Sequence, residues 1–273
     1  MGVSVCGVEL GGKNVLLTGA TGGLGRAIAR GLAERGAVMA LSSRKPDELE
    51  DLRSSLPGSG HRVAVADLAE PGAALALLEA VGEIDVLVAN AALPASGKLD
   101  GYTGEQIQRA LRVNLEAPIL MAQALLPALL ERGGGHLVFV SSLNGKVATA
   151  RSSLYSATKF GLRGFALGLR EDLRGAPVGS SVVMPGTIRD AGMFADSGAK
   201  MPRAMGTSSP EEVAAGVVRA IERDRAEVEV APRIQRVLAN FAARRPEMAG
   251  KLAARGGGAR IADAVADNQL EKR

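Results

Sequence analysis

The sequence predicts an α/β fold: a doubly wound sheet of about seven parallel strands, covered by helices on both faces and followed by a C-terminal helical extension. Three observations predict it. Short apolar runs alternate with helix-period segments from residue 14 to residue 231, the pattern of repeated strand–helix–strand units. Most of these runs are continuously apolar, as expected where helices cover both faces of a parallel sheet. The first run also breaks directly into a glycine-rich turn that resumes as a helix.

Taken in order, the predicted strands are NVLLT (14–18), VMALS (38–42), RVAVAD (62–67), IDVLVAN (84–90), HLVFVSS (136–142), SVVMP (181–185) and EVEVA (227–231). Between the first two lies GRAIARGLAERG, in which Ile28 and Leu32 share a helix face and Gly36 supplies a C-terminal stop. No linker-like stretch interrupts this alternation. Residues 1–230 are therefore expected to form one domain. Residues 231–273 change to an Arg/Ala-rich helical pattern, interrupted by RGGGAR at 255–260.

The 273 residues suffice to bury a sizeable core. With 3% aromatics, that core must be built mostly from Ala, Val, Leu and Ile. A net charge of +4 is too small to argue for nucleic acid, and so few aromatics offer few stacking platforms for single strands. No nucleic-acid partner is expected. Cys6 is the only cysteine, which rules out an intrachain disulfide and gives no sign of an oxidising compartment. The opening MGVSVCGVELGG lacks the features of a signal peptide. The stretch PILMAQALLPALL (118–130) falls short of the roughly 20 residues that span a bilayer. A cytoplasmic protein is expected.

In LLTGATGGLGRAIA, a tight strand-to-helix turn lets backbone N–H groups and the helix N-terminus face a pyrophosphate. Gly19, Thr21, Gly22, Gly23, Leu24 and Gly25 are the candidate contacts, and the context makes the fold Rossmann-type. The second strand runs into Ser43, Arg44 and Lys45. A ribose 2′-hydroxyl usually meets a carboxylate here, whereas a 2′-phosphate meets cations. Ser43 and Arg44 therefore point to NADP(H) as the preferred cofactor, with NAD(H) as the alternative. No metal is expected.

With these residues in place, the chain resembles the short-chain dehydrogenase/reductase family over about residues 12–230. The resemblance rests on Thr18, Gly19, Gly23 and Gly25 in TG-x3-G-x-G, on Asn90-Ala91-Ala92 after the fourth strand, and on Asn114 in the next helix. It rests further on Ser142 after the fifth strand, on Tyr155-x3-Lys159, and on Pro185-Gly186 after the sixth. It implies a carbonyl–alcohol oxidoreductase with Asn114, Ser142, Tyr155 and Lys159 as its catalytic set. It also implies that Asp67 and Leu68 address the adenine end and that Asn90, Ala91 and Ala92 line the ribose. Pro185, Gly186 and Ile188 would lie by the nicotinamide, with Ile188 offering its backbone to the carboxamide and Lys159 binding the nicotinamide ribose. Two departures stand out: Ala92 replaces a glycine, which suits a backbone of negative φ, and Asp190 stands where many members carry threonine.

The chemistry explains the spacing. Positions i and i+4 share a helix face, so Tyr155 and Lys159 can enter one cleft. A tyrosine titrates near pKa 10, and a neighbouring ammonium is expected to lower that value and make the proton mobile. Ser142 can hydrogen-bond the substrate oxygen as it gains charge. Pro118 has no N–H to offer the carbonyl of Asn114, which predicts a local kink and a free carbonyl for a water.

Two other readings compete. TGATGGLG also fits TG-x2-G-x2-G, the spacing of nucleotide-sugar epimerases and dehydratases, but little sequence follows the sixth strand for a sugar domain. A non-catalytic nucleotide-binding regulatory protein would be expected to lack part of the tetrad. Substrate choice falls to the segment TIRDAGMFADSGAKMPRAMGTSS (187–209), whose Met193, Phe194, Met201 and Met205 suit a fairly apolar carbonyl or alcohol. In the tail, Arg233, Arg236, Arg244, Arg245, Lys251, Arg255 and Arg260 stand against Glu247 alone within 231–260. Ile234, Val237, Leu238 and Phe241 recur at helical spacing between them. Packing of this helix on the domain, with its cations in water, is expected over contact with an anionic membrane. Because APRIQRVLANF replaces the glycine-containing ending that shorter relatives use for tetramer contacts, a homodimer is expected.

Overall fold

A computed structural model of the chain describes residues 7–196, 203–255 and 258–269; Cys6, Met201 and the central Gly256-Gly257 of the interrupted tail lie outside the described residues. The strands are β1 (Asn14–Thr18), β2 (Val38–Ser43), β3 (Arg62–Val65), β4 (Val86–Ala89), β5 (Gly135–Val140), β6 (Val178–Pro185) and β7 (Glu227–Val230). They form one sheet in the order β3-β2-β1-β4-β5-β6-β7. Every pairing is parallel. The order reverses between β1 and β4, which opens a crevice beyond the C-terminal ends of those strands.

The helices between the strands are α1 (Gly23–Ala33), α2 (Pro46–Ser55), α3 (Ala73–Val81), α4 (Gly104–Leu111), α5 (Ala117–Glu131), α6 (Ser153–Asp172), α7 (Gly192–Asp196) and α8 (Pro210–Glu222). After β7 come α9 (Arg233–Arg244), α10 (Pro246–Arg255) and α11 (Gly258–Asn268). As the spacing predicts, Ile28 and Leu32 are fully buried on α1, and Gly36 follows its end with φ +80°, a left-handed turn that glycine adopts without strain.

The sheet separates two apolar layers because successive side chains on a strand point to opposite faces. Val15, Leu17, Met39, Leu41, Val86 and Val88 join α1 and α8 on one side. Leu16, Ala40, Leu87, Leu137 and Phe139 join α3, α5 and α6 on the other. Burying each large side chain contributes about 1.5–3 kcal/mol. Phe139 also meets Phe165 edge-on, with ring centroids 5.4 Å apart, a favourable aromatic geometry.

The helical run Gly104–Glu131 spans 28 residues and is long and apolar enough, by length and composition, to cross a membrane. The apolar stretch read from the sequence is thus part of a longer helix than expected. Its Met121, Ala122, Leu125 and Leu129 are buried within the second core layer.

The polar-looking Gly179 and Ser180 belong to β6, which starts earlier than the sequence suggests. Their polar neighbours are satisfied internally: the Ser180 hydroxyl donates to the Ala166 carbonyl at 2.8 Å, and Ser181 Oγ meets His136 Nε2 at 2.8 Å. His136 is fully buried, and desolvation lowers its pKa from 6.5 to about 4. An unfolded chain takes up this proton near pH 6.5, while the folded one refuses it until about pH 4. The stability that the neutral ring contributes above pH 6.5 is therefore lost as the pH falls through this window, by about 3 kcal/mol. In urea unfolding at pH 7 and about pH 4.5, His136→Gln should lose about 2–3 kcal/mol less than the parent across the interval. An equal loss in both proteins would remove His136 as the cause.

Candidate functional site

The glycine turn is tied to the β4 end by hydrogen bonds that no local reading supplies. Thr18 Oγ1 accepts from the N–H groups of Asn90 and Ala91, each at 3.1 Å. Asn90 Nδ2 donates to the carbonyls of Thr18 and Gly19 at 3.1 and 3.2 Å. Gly19 has φ +65°, and a Cβ there would lie 2.8 Å from Ala91 Cα, so both conformation and close approach require glycine. At Gly25 a Cβ would lie 2.2 Å from the Gly19 carbonyl oxygen. Gly22 caps α1 without a side-chain hydrogen bond, and the first turn carries no acidic residue. Thr21, Gly22, Gly23 and Leu24 thus surround a helix N-terminus whose N–H groups suit an anion.

At the end of β2, Arg44 makes a loose, half-exposed ion pair with Asp67 at 3.8 Å, so these two predicted cofactor residues lie side by side. Ser43 Oγ accepts from the Lys45 N–H at 3.2 Å. Asp67 Oδ1 accepts from the Ala69 N–H at 3.0 Å, and Leu68 is buried beside it. Ala92 is not among the described non-glycine residues with positive φ, which are Arg151, Asp190 and Asp224. Loss of the family glycine therefore costs no strain at that position.

Past β6, Ser208 donates to the Thr187 carbonyl at 3.0 Å and accepts from the Arg189 N–H at 2.9 Å. This parallel bridge turns the backbone N–H and C=O of Ile188 away from Ser208. Asp190, one of the two departures, has φ +64° and pairs with Arg189 at 3.5 Å.

Around the catalytic candidates, Asn114 lies in a π-helical turn, Arg112–Glu116, between α4 and α5. Pro118 cannot donate to the Asn114 carbonyl, and the expected distortion takes this form. The Asn114 side chain, fully buried, carries a further role. Its Oδ1 accepts from the Leu93 N–H at 2.7 Å, and its Nδ2 donates to the Leu93 carbonyl at 3.0 Å. It clamps the loop that leaves β4. The same loop accepts the Tyr155 N–H at the Ala95 carbonyl, 3.2 Å away.

Tyr155 and Lys159 both point into the buried end of α6, at 8% and 2% exposure. Ser142 Oγ accepts from the Asn144 N–H at 3.1 Å and lies near enough to Tyr155 to influence its proton. Lys159 Nζ donates to the Val140 carbonyl at 3.0 Å and sits 5.7 Å from the Tyr155 ring centroid. The expected lowering of the tyrosine pKa by this ammonium is not what the geometry produces. Burial pushes Tyr155 up to about 12, against a smaller downward pull from neighbouring Ser142. Burial also brings Lys159 down to about 8. Both charged forms lose hydration in the same dry pocket, and the lysine spends its hydrogen bond on a neutral carbonyl.

Sequence reading missed three positions. The Ser141 hydroxyl donates to the Lys159 carbonyl at 2.9 Å, and a Cβ on Gly145 would strike both groups. The third is Gln235 on α9. Its Oε1 accepts from the Thr187 N–H at 3.1 Å, while its Nε2 donates to the carbonyls of Met205 and Gly206 at 3.3 and 2.8 Å. Gln235 thereby closes the base of the segment expected to choose substrate. Its signal in the sequence is a lone amide on the face of α9 that carries Ala239 and Ala242. Gln235→Met keeps the side chain's length but removes all three bonds, each worth about 1 kcal/mol. Limited proteolysis should then cut between 188 and 204 about tenfold faster; an unchanged cleavage rate would show that the staple does not hold the segment.

Comparison with known proteins places this geometry. The family described as short chain dehydrogenase matches residues 13–202. The chain is 38% identical over 225 residues to ketoacyl reductase HetN of Nostoc sp., covering 80% of this chain and 78% of that one. It is 35% identical over 184 residues to dehydrogenase/reductase SDR family member 7B of Mus musculus, covering 64% of this chain and 57% of that longer one. Among solved structures, a 3-oxoacyl (acyl-carrier-protein) reductase from Agrobacterium tumefaciens with NADP bound superposes with TM-score 0.74 at 27% identity, covering 82% and 95% of the two chains.

Proposed function

The chain belongs to the short-chain dehydrogenase/reductase family and is an oxidoreductase acting on CH–OH and C=O groups; we propose that it prefers NADP(H) over NAD(H) and uses Tyr155 as its acid/base. The observation that carries this reading is the placing of Ser142 beside buried Tyr155 and Lys159 at the C-terminal end of the sheet. The residues fit the dinucleotide. The glycine turn presents a helix N-terminus without a side-chain cap, Ile188 presents free-facing backbone groups, and Arg44 stands at the β2 end.

When bound, the nicotinamide supplies or takes up the hydride. The remaining work belongs to the chain. Ser142 Oγ holds the substrate oxygen against the Tyr155 hydroxyl. With its pKa pushed up to about 12, Tyr155 stays protonated near neutrality, the state that donates to an oxygen gaining negative charge during reduction. Lys159, anchored on the Val140 carbonyl, supplies positive charge beside the ring and binds the ribose. Asn114 positions the loop whose Ala95 carbonyl orients the start of α6.

NADP(H) preference is supported by Ser43-Arg44-Lys45 at the β2 end and by the NADP in the superposed Agrobacterium structure. An apolar substrate is supported by half-buried Phe194 and Met205 in the segment that Gln235 closes. We read residues 1–230 as the catalytic domain, because the last strand ends at Val230, and residues 231–273 as an extension upon it.

The test is NADPH-dependent turnover across carbonyl compounds, with ketoacyl substrates first because of the Nostoc relative's name. Tyr155→Phe should lower kcat by about 10²–10⁴-fold while leaving NADPH affinity within a few fold. Full activity in the variant would exclude Tyr155 as the proton donor. Arg44→Asp should weaken NADPH by about tenfold or more and spare NADH; equal losses for both dinucleotides would remove the assignment.

A further inference from the structure

We propose that the outer face of α9 and α10 docks the protein on an anionic lipid surface. Helix α9 turns Gln235, Ala239 and Ala242 inward. Its larger apolar residues face the other way: Ile234 is 42% exposed, Val237 62%, Leu238 44% and Phe241 36%. They occupy positions i, i+3, i+4 and i+7, one stripe of the helix. Met248 and Leu252 extend exposed apolar surface along α10, at 50% and 56%. These six make up half of the twelve large hydrophobics exposed among the described residues, and they fall within nineteen consecutive positions. The helix packs on the domain with its cations in water, but through Gln235, Ala239 and Ala242 and not through the apolar stripe read from the sequence. A concentration of this kind marks a contact surface.

Charge identifies the occupant. Arg233, Arg244, Arg245 and Lys251 are exposed around the stripe, and none has an ion-pair partner among the described residues. Between residues 231 and 255 the only acid is Glu247. A second copy seated on this face would bring two sets of unpaired cations together across an apolar contact, with one carboxylate each to offset them. An anionic bilayer meets both demands: the apolar side chains enter the acyl boundary, while the long basic side chains reach up to the headgroups. The inner face of the same helix holds both ends of the Thr187–Gly206 segment through Gln235. Docking would therefore bring that segment up to the lipid.

Full-length protein can be floated with vesicles of phosphatidylcholine containing one-third phosphatidylglycerol, and in a second arm with phosphatidylcholine alone. Affinity for the anionic vesicles should exceed that for the neutral ones by about tenfold or more, and should fall at least about tenfold at 0.5 M salt. V237E/F241E should weaken anionic-vesicle binding about tenfold, and R244Q/R245Q should remove most of the salt dependence. Unchanged thermal melting and dinucleotide binding would show that both variants fold. R244Q/R245Q, which alters only exposed side chains, keeps the test open if the first variant does not fold. The proposal falls if the parent floats with neither vesicle, or if both variants bind as the parent does. It also falls if the parent is a dimer that V237E/F241E splits without any vesicle binding, which would assign the face to a second copy.

Discussion

The interlock between the ends of β1 and β4 is the constraint on which the rest of the site depends. Four hydrogen bonds tie Thr18-Gly19 to Asn90-Ala91: the threonine hydroxyl accepts from the N–H groups of Asn90 and Ala91, and the asparagine amide donates to the carbonyls of Thr18 and Gly19. Gly19 must be glycine for the two backbones to come this close. The glycine turn on one side and the loop leaving β4 on the other are thereby held as one rigid edge. That loop then passes its position on, to the buried Asn114 amide at Leu93 and to the first turn of α6 at Ala95. The place where a pyrophosphate would rest and the place where Tyr155 stands are thus linked through a few backbone hydrogen bonds.

Burial governs the chemistry at the other end of that chain. Tyr155 and Lys159 are neighbours by helix geometry, but what each holds as a proton follows from the dry pocket that α6 makes against β5. Desolvation disfavours phenolate and ammonium alike, so the tyrosine rises and the lysine falls. A phenol raised in this way keeps its proton near neutrality. The ammonium is kept in place by the Val140 carbonyl, a strand-end group that only the packing of α6 on β5 supplies.

Much of this was legible in the sequence, for reasons of range. The seven strands follow from apolar runs of strand length. The glycine turn follows from residues within one strand–turn–helix unit, and Tyr155 with Lys159 from the i,i+4 geometry of one helix. The missing N–H of Pro118 foretold a distortion at Asn114, and a π turn stands there. Less legible were the strand boundaries. Gly179 and Ser180 look like turn residues until the Ala166 carbonyl and the His136 ring are seen to satisfy the hydroxyls around them.

The sequence by itself determined the fold class and the order of the elements, because each rests on short-range periodicity or on motifs within one local unit. Only the tertiary structure decided that Asn90 grips a turn 72 positions away, that Gln235 staples a segment 48 positions away, and that the tyrosine is raised rather than lowered. It alone decided that the apolar stripe of α9 faces outward, since a helical period shows that a stripe exists but not which side the domain will cover. These outcomes depend on contacts between distant parts of the chain and on how completely water is excluded, and no local pattern of residues encodes either quantity.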